Sequence, residues 1–257
     1  MRQSAHPRYA VAAHELPMSA DPVALERIAV VDGPDWLQAA DRADADVVVV
    51  AGPGVAPADD LRRLAVPGAP QVVLERGRLR PDLVEDAVGA RAGAAVRSVV
   101  AEVAVSAAQL REGVRDALGW SRELAGELVL RTGRADAHAV SALLAAGDGV
   151  PVVLRVTLAR LGEPFIRVLA IGEVTTEVVI DETGGRRAVA TLRRSGRMEM
   201  PYRWEDGARV ALRRALAAAA GAPTGDLAAL THDTAITEQL LGAVDRPDAG
   251  RDRVPVP

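Results

Sequence analysis

Glu75 is followed at alternate positions by Arg76, Arg78 and Arg80. Guanidinium forks match phosphate and carboxylate oxygens, so this cluster could hold an anion. A solvated loop of exposed cations is the simpler expectation, for Arg76 as for its neighbours. A second candidate is Gly52-Pro53-Gly54. Glycines let a backbone approach a phosphate closely, although a tight strand-to-helix turn explains this pair as well. The histidines stand at 6, 14, 138 and 232, a spread that suggests no metal site. Asp136-Ala-His138 and His232-Asp233 read as polar pairs on helix surfaces. Thr231-His-Asp-Thr234 could form a polar seam, with solvent exposure the expectation. No Gly-x-Ser-x-Gly elbow is present for serine nucleophile chemistry.

What positions these residues is a pair of short, Val-rich runs. Asp46-Val-Val-Val-Val-Ala51 stops at Gly52, and Gln71-Val-Val-Leu-Glu75 stops at Arg76-Gly77. Unbroken apolar runs of this length suit strands covered on both faces of a parallel sheet. Between them, Pro57 to Ala65 is long enough for a crossover helix, with Asp59 and Asp60 in its first turn. Such sheets bind ligands at the carboxyl ends of their strands. The 52–56 and 76–80 loops are therefore where a site is expected.

Around this unit, Ile28 to Val31 reads as a strand, Pro34 opens a helix, and Pro81 to Ala90 is helical. Val96 to Val105 reads as a strand because its branched residues favour one. A helix follows from Ser106 to about Leu118, with Glu112 and Asp116 facing solvent and Gly119-Trp120 interrupting it. Ala135 to Ala146 reads as a helix. Strand candidates then come at 152–160, 165–171, 174–181, 187–194 and 197–203, a largely antiparallel sheet with a hairpin turn at Asp181 to Gly185. Helices are expected over 205–220 and 226–242. Tyr9 to Ala13 and residues 22–27 are weaker strand and helix candidates, and 245–257 reads as a disordered tail.

Composition narrows the chemistry. There is no Cys and no Lys, so all 31 basic residues are Arg. Thiolate and Schiff-base chemistry and a P-loop lysine are excluded. Asn is also missing, a bias that fits high-GC coding. Aromatics make up 2%, leaving the core to aliphatic residues. The net charge of −4 and dispersed arginines argue against a nucleic-acid partner. No apolar run approaches the roughly 20 residues of a membrane span. With no signal peptide visible, a cytoplasmic location is the default.

The order of elements, with Asp46 to Pro53, Val72 to Gly77, His138 before Ala139-Val-Ser-Ala-Leu-Leu144, Val168 to Gly172 and the 208–220 helix, resembles one family. It is similar to the oxidoreductases named after glucose–fructose oxidoreductase, inositol dehydrogenase and MocA. The resemblance runs from about Ile28 to Leu241. It implies an α/β plus α+β fold, a truncated Rossmann-like parallel sheet followed by an open, mostly antiparallel sheet with helices. It further implies a division into a Rossmann-like domain (1–127), a sheet domain of the oligomerisation type (128–244) and a tail. Gly52, Pro53, Gly54, Glu75 and Arg76 would be the cofactor-binding positions and His138 the catalytic acid or base; no metal is implied.

The departures are specific. The first 30 residues contain no Gly to cradle a pyrophosphate. Arg76 stands where the family has a proton-donating Lys, and the family's catalytic Asp has no counterpart, those positions holding Ser141 and Arg134. The resulting expectation is a shortened relative without its own NAD(P) site, serving as an accessory or scaffolding subunit. It would self-associate, or pair with a related oxidoreductase or pathway enzyme, through the sheet at 152–203. There the Val153-Arg155-Thr157-Ala159 face looks outward and Leu154-Val156-Leu158 inward. Two alternatives stand beside it. One is an active NAD- or NADP-dependent oxidoreductase acting on a sugar-like or small hydroxy, oxo or imine substrate. The other is a small-ligand-binding protein without redox chemistry.

Overall fold

The computed structural model describes residues 25–242 other than 137, 148, 159–163 and 183. The strand expected at 9–13, the first half of the helix expected at 22–27 and the tail at 245–257 lie outside the described residues.

Three short strands, β1 (Ile28–Asp32), β2 (Val47–Ala51) and β3 (Gln71–Glu75), form a parallel sheet in the order β1-β2-β3. The Val-rich runs are strands because both faces are covered. Ile28, Val30, Val47, Val49 and Val73 pack beneath α5 (Gly207–Ala219). The alternate residues Val31, Val48, Val50 and Leu74 pack against α1 (Trp36–Asp41), α2 (Ala58–Leu64) and Leu230 of α6 (Asp226–Gly242). Each fully buried Val contributes roughly 1.5–3 kcal/mol, so a charge at Val49 would break this layer.

A larger sheet of eight strands has the order β11-β10-β9-β8-β4-β7-β6-β5. Its members are β4 (Val96–Val105), β5 (Leu128–Ala135), β6 (Ala139–Ala146), β7 (Val150–Leu158), β8 (Phe165–Gly172), β9 (Thr175–Asp181), β10 (Arg186–Arg193) and β11 (Gly196–Glu199). All neighbours are antiparallel except β4 and β7, which run parallel. The fold is thus the α/β plus α+β arrangement expected. The division expected at residue 127 does not follow the sheets, because β4 lies before it and yet sits in the middle of the larger one. The segment expected as a helix over 135–146 is instead the end of β5, a connection and strand β6. Val140, Ala142, Leu144 and Ala146 are buried while Ser141 and Leu143 are exposed, the period of two that a half-buried strand requires.

α3 (Pro81–Gly89) and α4 (Leu110–Ala125) connect the two layers. α4 runs unbroken through Gly119-Trp120, where an interruption is expected from sequence. Val114, Ala117 and Leu118 face the eight-stranded sheet. The opposite side of α4 meets the end of β3 and α6, so its polar residues are buried as well. Asp116, expected in solvent, is one of them. The outer face of the large sheet stays uncovered: Val153 and Arg155 are exposed, and Leu154 and Val156 are buried, as the alternation predicts. Ala159 lies outside the described residues. Among the described residues no helix is long and apolar enough to cross a membrane.

Candidate functional site

The carboxyl ends of β2 and β3 are joined directly. Gly52 adopts a positive φ of 66°, which only glycine takes without strain, and its amide donates to the Glu75 carbonyl at 3.1 Å. From there Arg76 turns inward. It is 6% exposed and makes two hydrogen bonds to Asp116 of α4, at 3.0 and 2.7 Å, and one to Asp233 of α6 at 3.0 Å. Arg122 of α4 donates to the same Asp233 at 2.9 Å. Burial alone would lower the Arg76 pKa; Asp116 and Asp233 outweigh it and raise it, so the guanidinium is permanently charged. The solvated cation expected at Arg76 is therefore corrected to the centre of a buried ion cluster.

Arg78 and Arg80 are buried too, against the expectation of a solvated loop. Arg78 pairs with Glu182 at 2.9 and 2.7 Å, and its carbonyl accepts the Trp120 indole N–H at 2.7 Å. Arg80 pairs with Asp82 at 3.0 and 2.6 Å. Arg115 of α4 reaches the 52–54 turn, donating to the carbonyls of Pro53 and Gly54 at 3.0 and 3.1 Å. Burial pushes the Arg115 pKa down.

Two cavities flank Glu75-Arg76-Gly77. The first, about 190 Å³, is lined by Gly52, Pro53, Glu75, Arg76, Arg78 and Arg115 among others. Two of its arginines keep a buried nitrogen without a hydrogen-bond partner, Nη1 of Arg78 and Nε of Arg115, the latter 3.8 Å from Asp116. Such orphaned donors inside a protein are uncommon and point to a missing acceptor. The second cavity, about 330 Å³, opens toward α5 and the segment 202–206.

Of the residues picked from sequence, Gly52, Pro53, Glu75 and Arg76 come together on the first cavity, and Gly54 holds Arg115 in place. His138 does not join them. It is exposed in the β5–β6 connection at the outer edge of the large sheet, where its amide donates to Asp136 at 2.8 Å and its carbonyl accepts from Leu158. It opens a strand rather than a helix, and it lines neither cavity. Asp116, Asp233 and Arg115 are the residues sequence reasoning missed. The polar seam at 231–234 was the one signal for them: Asp233 is fully buried, not solvent-exposed. Among the described residues no group of three or more His, Asp or Glu is placed to hold a metal ion.

No protein-family model matches the chain, and a comparison with curated proteins finds no match. Solved structures do resemble it. UDP-N-acetylglucosamine 3-dehydrogenase GnnA from Acidithiobacillus ferrooxidans superposes with a TM-score of 0.66 at 17% identity, over 95% of this chain and 88% of that one. KijD10, a 3-ketoreductase from Actinomadura kijaniata in complex with NADP and TDP-benzene, gives 0.58 at 14%, over 93% and 86%. An oxidoreductase from Sinorhizobium meliloti gives 0.66 at 14%, over 93% and 81%. The fold is that of these oxidoreductases. The expectation of an accessory or scaffolding subunit without a dinucleotide site is corrected by the same finding. The likeness spans most of both chains, and the similar proteins are a dehydrogenase and a ketoreductase, the latter with NADP bound.

Proposed function

We propose that this chain is an NAD(P)-dependent oxidoreductase of the glucose–fructose oxidoreductase, inositol dehydrogenase and MocA kind, acting on a sugar-like alcohol or ketone. One observation carries the reading. Arg78 and Arg115, which line a cavity at the carboxyl edge of a parallel sheet, each keep a buried N–H without a hydrogen-bond acceptor. A buried donor left unpaired costs about 1–3 kcal/mol, and a phosphate oxygen of the dinucleotide would remove that cost. The donor set therefore fits the group. The likeness to a sugar-nucleotide dehydrogenase and an NADP-bound ketoreductase supports the class.

When bound, the nicotinamide supplies or accepts the hydride. The chain's own residues have separate tasks. The turn at 52–54 brings backbone close to the cofactor, and Arg115 fixes that turn through the carbonyls of Pro53 and Gly54. Arg76 stays protonated, and with its charge offset by Asp116 and Asp233 it anchors the end of β3 at the cavity instead of donating a proton. Among the described residues, Glu75 is the one carboxylate that lines both cavities. Its carboxylate takes the hydroxyl proton when an alcohol is oxidised and returns it when a ketone is reduced.

Calorimetric titration with NAD(H) and NADP(H) tests this. Micromolar binding is expected, weakened about tenfold by Arg78→Gln or Arg115→Gln, with thermal melts showing that each variant is folded. Absence of heat at millimolar dinucleotide overturns the reading.

A further inference from the structure

The second cavity has a character of its own. The chain contains three Trp, two Tyr and one Phe. Trp36 and Trp120 are buried in the core, whereas Trp204 is 88% exposed and stands with Tyr202 at the mouth of this cavity. The two rings meet edge to face with centroids 4.5 Å apart. The backbone around them is fixed on both sides. Arg203 holds Asp86 at 2.8 and 2.5 Å, and Arg80 donates to the Glu205 carbonyl at 2.8 Å. A ring of this size is thus held mostly in water by a braced segment, a cost that its edge contact with Tyr202 offsets only in part.

The charges of the cavity wall sort in the same way. Arg76, Arg80, Arg203 and Arg214 are each paired with an aspartate. Arg187 of β10, half-buried on the same wall, has no hydrogen-bond or ion-pair partner among the described residues. An aromatic platform and one unpaired guanidinium match two parts of one molecule: a base and a phosphate.

We propose that the 330 Å³ cavity is a nucleotide site, with the base stacked on Trp204 and the phosphate on Arg187. This goes beyond the dinucleotide reading and does not rest on it. A nucleotide carried by the substrate and one end of the dinucleotide share this chemistry, and the test separates them.

Trp204 is the solvent-facing tryptophan, so quenching of its fluorescence reports the site. The wild-type chain is titrated with UDP, ADP, NAD, uridine and ribose 5-phosphate. Saturable quenching is expected, with UDP the strongest probe if the substrate carries the nucleotide, and NAD the strongest if the cofactor reaches the cavity. Ribose 5-phosphate, lacking a base, should bind at least tenfold more weakly. Trp204→Ala, read by calorimetry because it lacks the reporter, should weaken the best nucleotide roughly tenfold. Arg187→Gln should weaken the nucleotides about tenfold and leave uridine unchanged. No quenching by any nucleotide at millimolar concentration overturns the proposal, as does equal binding by both variants and wild type. Heat from NAD(P) without any dependence on Trp204 would overturn this site while leaving the dinucleotide reading intact.

Discussion

Arg76 and Asp233, 157 positions apart in the chain, form an ion pair at 3.0 Å that is closed to solvent. It joins the end of the parallel sheet to the last helix, and through Asp116 and Arg122 it also fixes α4. Asp233 accepts from two arginines, so its loss leaves Arg76 with Asp116 alone and Arg122 with Glu123 alone. Removing one partner of a buried pair costs about 3–5 kcal/mol. Asp233→Ala is expected to lower the stability measured by urea unfolding by that amount. Asp233→Asn, which keeps the shape and an acceptor, should cost less. Equal stability of wild type and Asp233→Ala would show that the cluster contributes nothing to the fold.

Gly119 in α4 is where this cluster comes closest to the helix backbone. A methyl group there would lie 2.6 Å from Leu79, 2.9 Å from the Asp233 carboxylate and 3.0 Å from the Arg76 guanidinium. Alanine is otherwise the better helix former by about 1 kcal/mol. The expected outcome of Gly119→Ala is nevertheless a loss of about 1–3 kcal/mol from overpacking. A thermal melt decides the sign, and a stabilised variant would mean that the cluster moves aside freely.

The strands of the parallel sheet were legible because Val-rich runs ending in glycine or arginine leave few alternatives. β6 was not. Its outward positions include the exposed Leu143 and the half-buried Ala145, so the alternation that marks a strand was hidden among apolar residues on both faces, and its alanines suggested a helix. The ion cluster was hidden for a different reason. Asp116 sits four residues after Glu112, as a solvent-facing acid would, and its partner lies 40 positions away. Charge pairing over that distance exists only once α4 is wedged between two layers. The cavity residues at 52–53 and 75–76 could be named because topology puts strand ends together. The burial of their arginines could not.

Asp82 provides a test in acid. Burial would raise its pKa, but the paired hydrogen bonds from Arg80 and the Leu83 amide outweigh this and hold it below the free value of 3.8. A carboxylate depressed in the folded state stabilises above its unfolded pKa, and that contribution disappears as pH falls through the folded value. Glu177, held low by Arg197 and Arg167, acts with the same sign. The urea midpoint of the wild type should therefore fall from about pH 4 downward. Asp82→Asn should start from a lower midpoint and lose less over that interval. Parallel slopes for the two proteins would rule out this role for Asp82.

The uncovered sheet face carries a row of apolar side chains across four strands. Leu143 pairs with Val153, Val153 with Val100, and Val100 with Leu169. The next row is polar, with Ser141, Arg155, Glu102 and Arg167 in register. An apolar row bordered by alternating charges is self-complementary under a two-fold rotation, which places like rows together and opposite charges across the seam. We infer that a second copy of the chain covers this face. Light scattering should then give a dimer or a larger assembly at micromolar concentration. Val153→Glu, a change at an exposed position with little effect on the fold, should shift the mass to the monomer. A wild type that is already monomeric, or a variant that keeps the wild-type mass, would show that copies do not meet on this face.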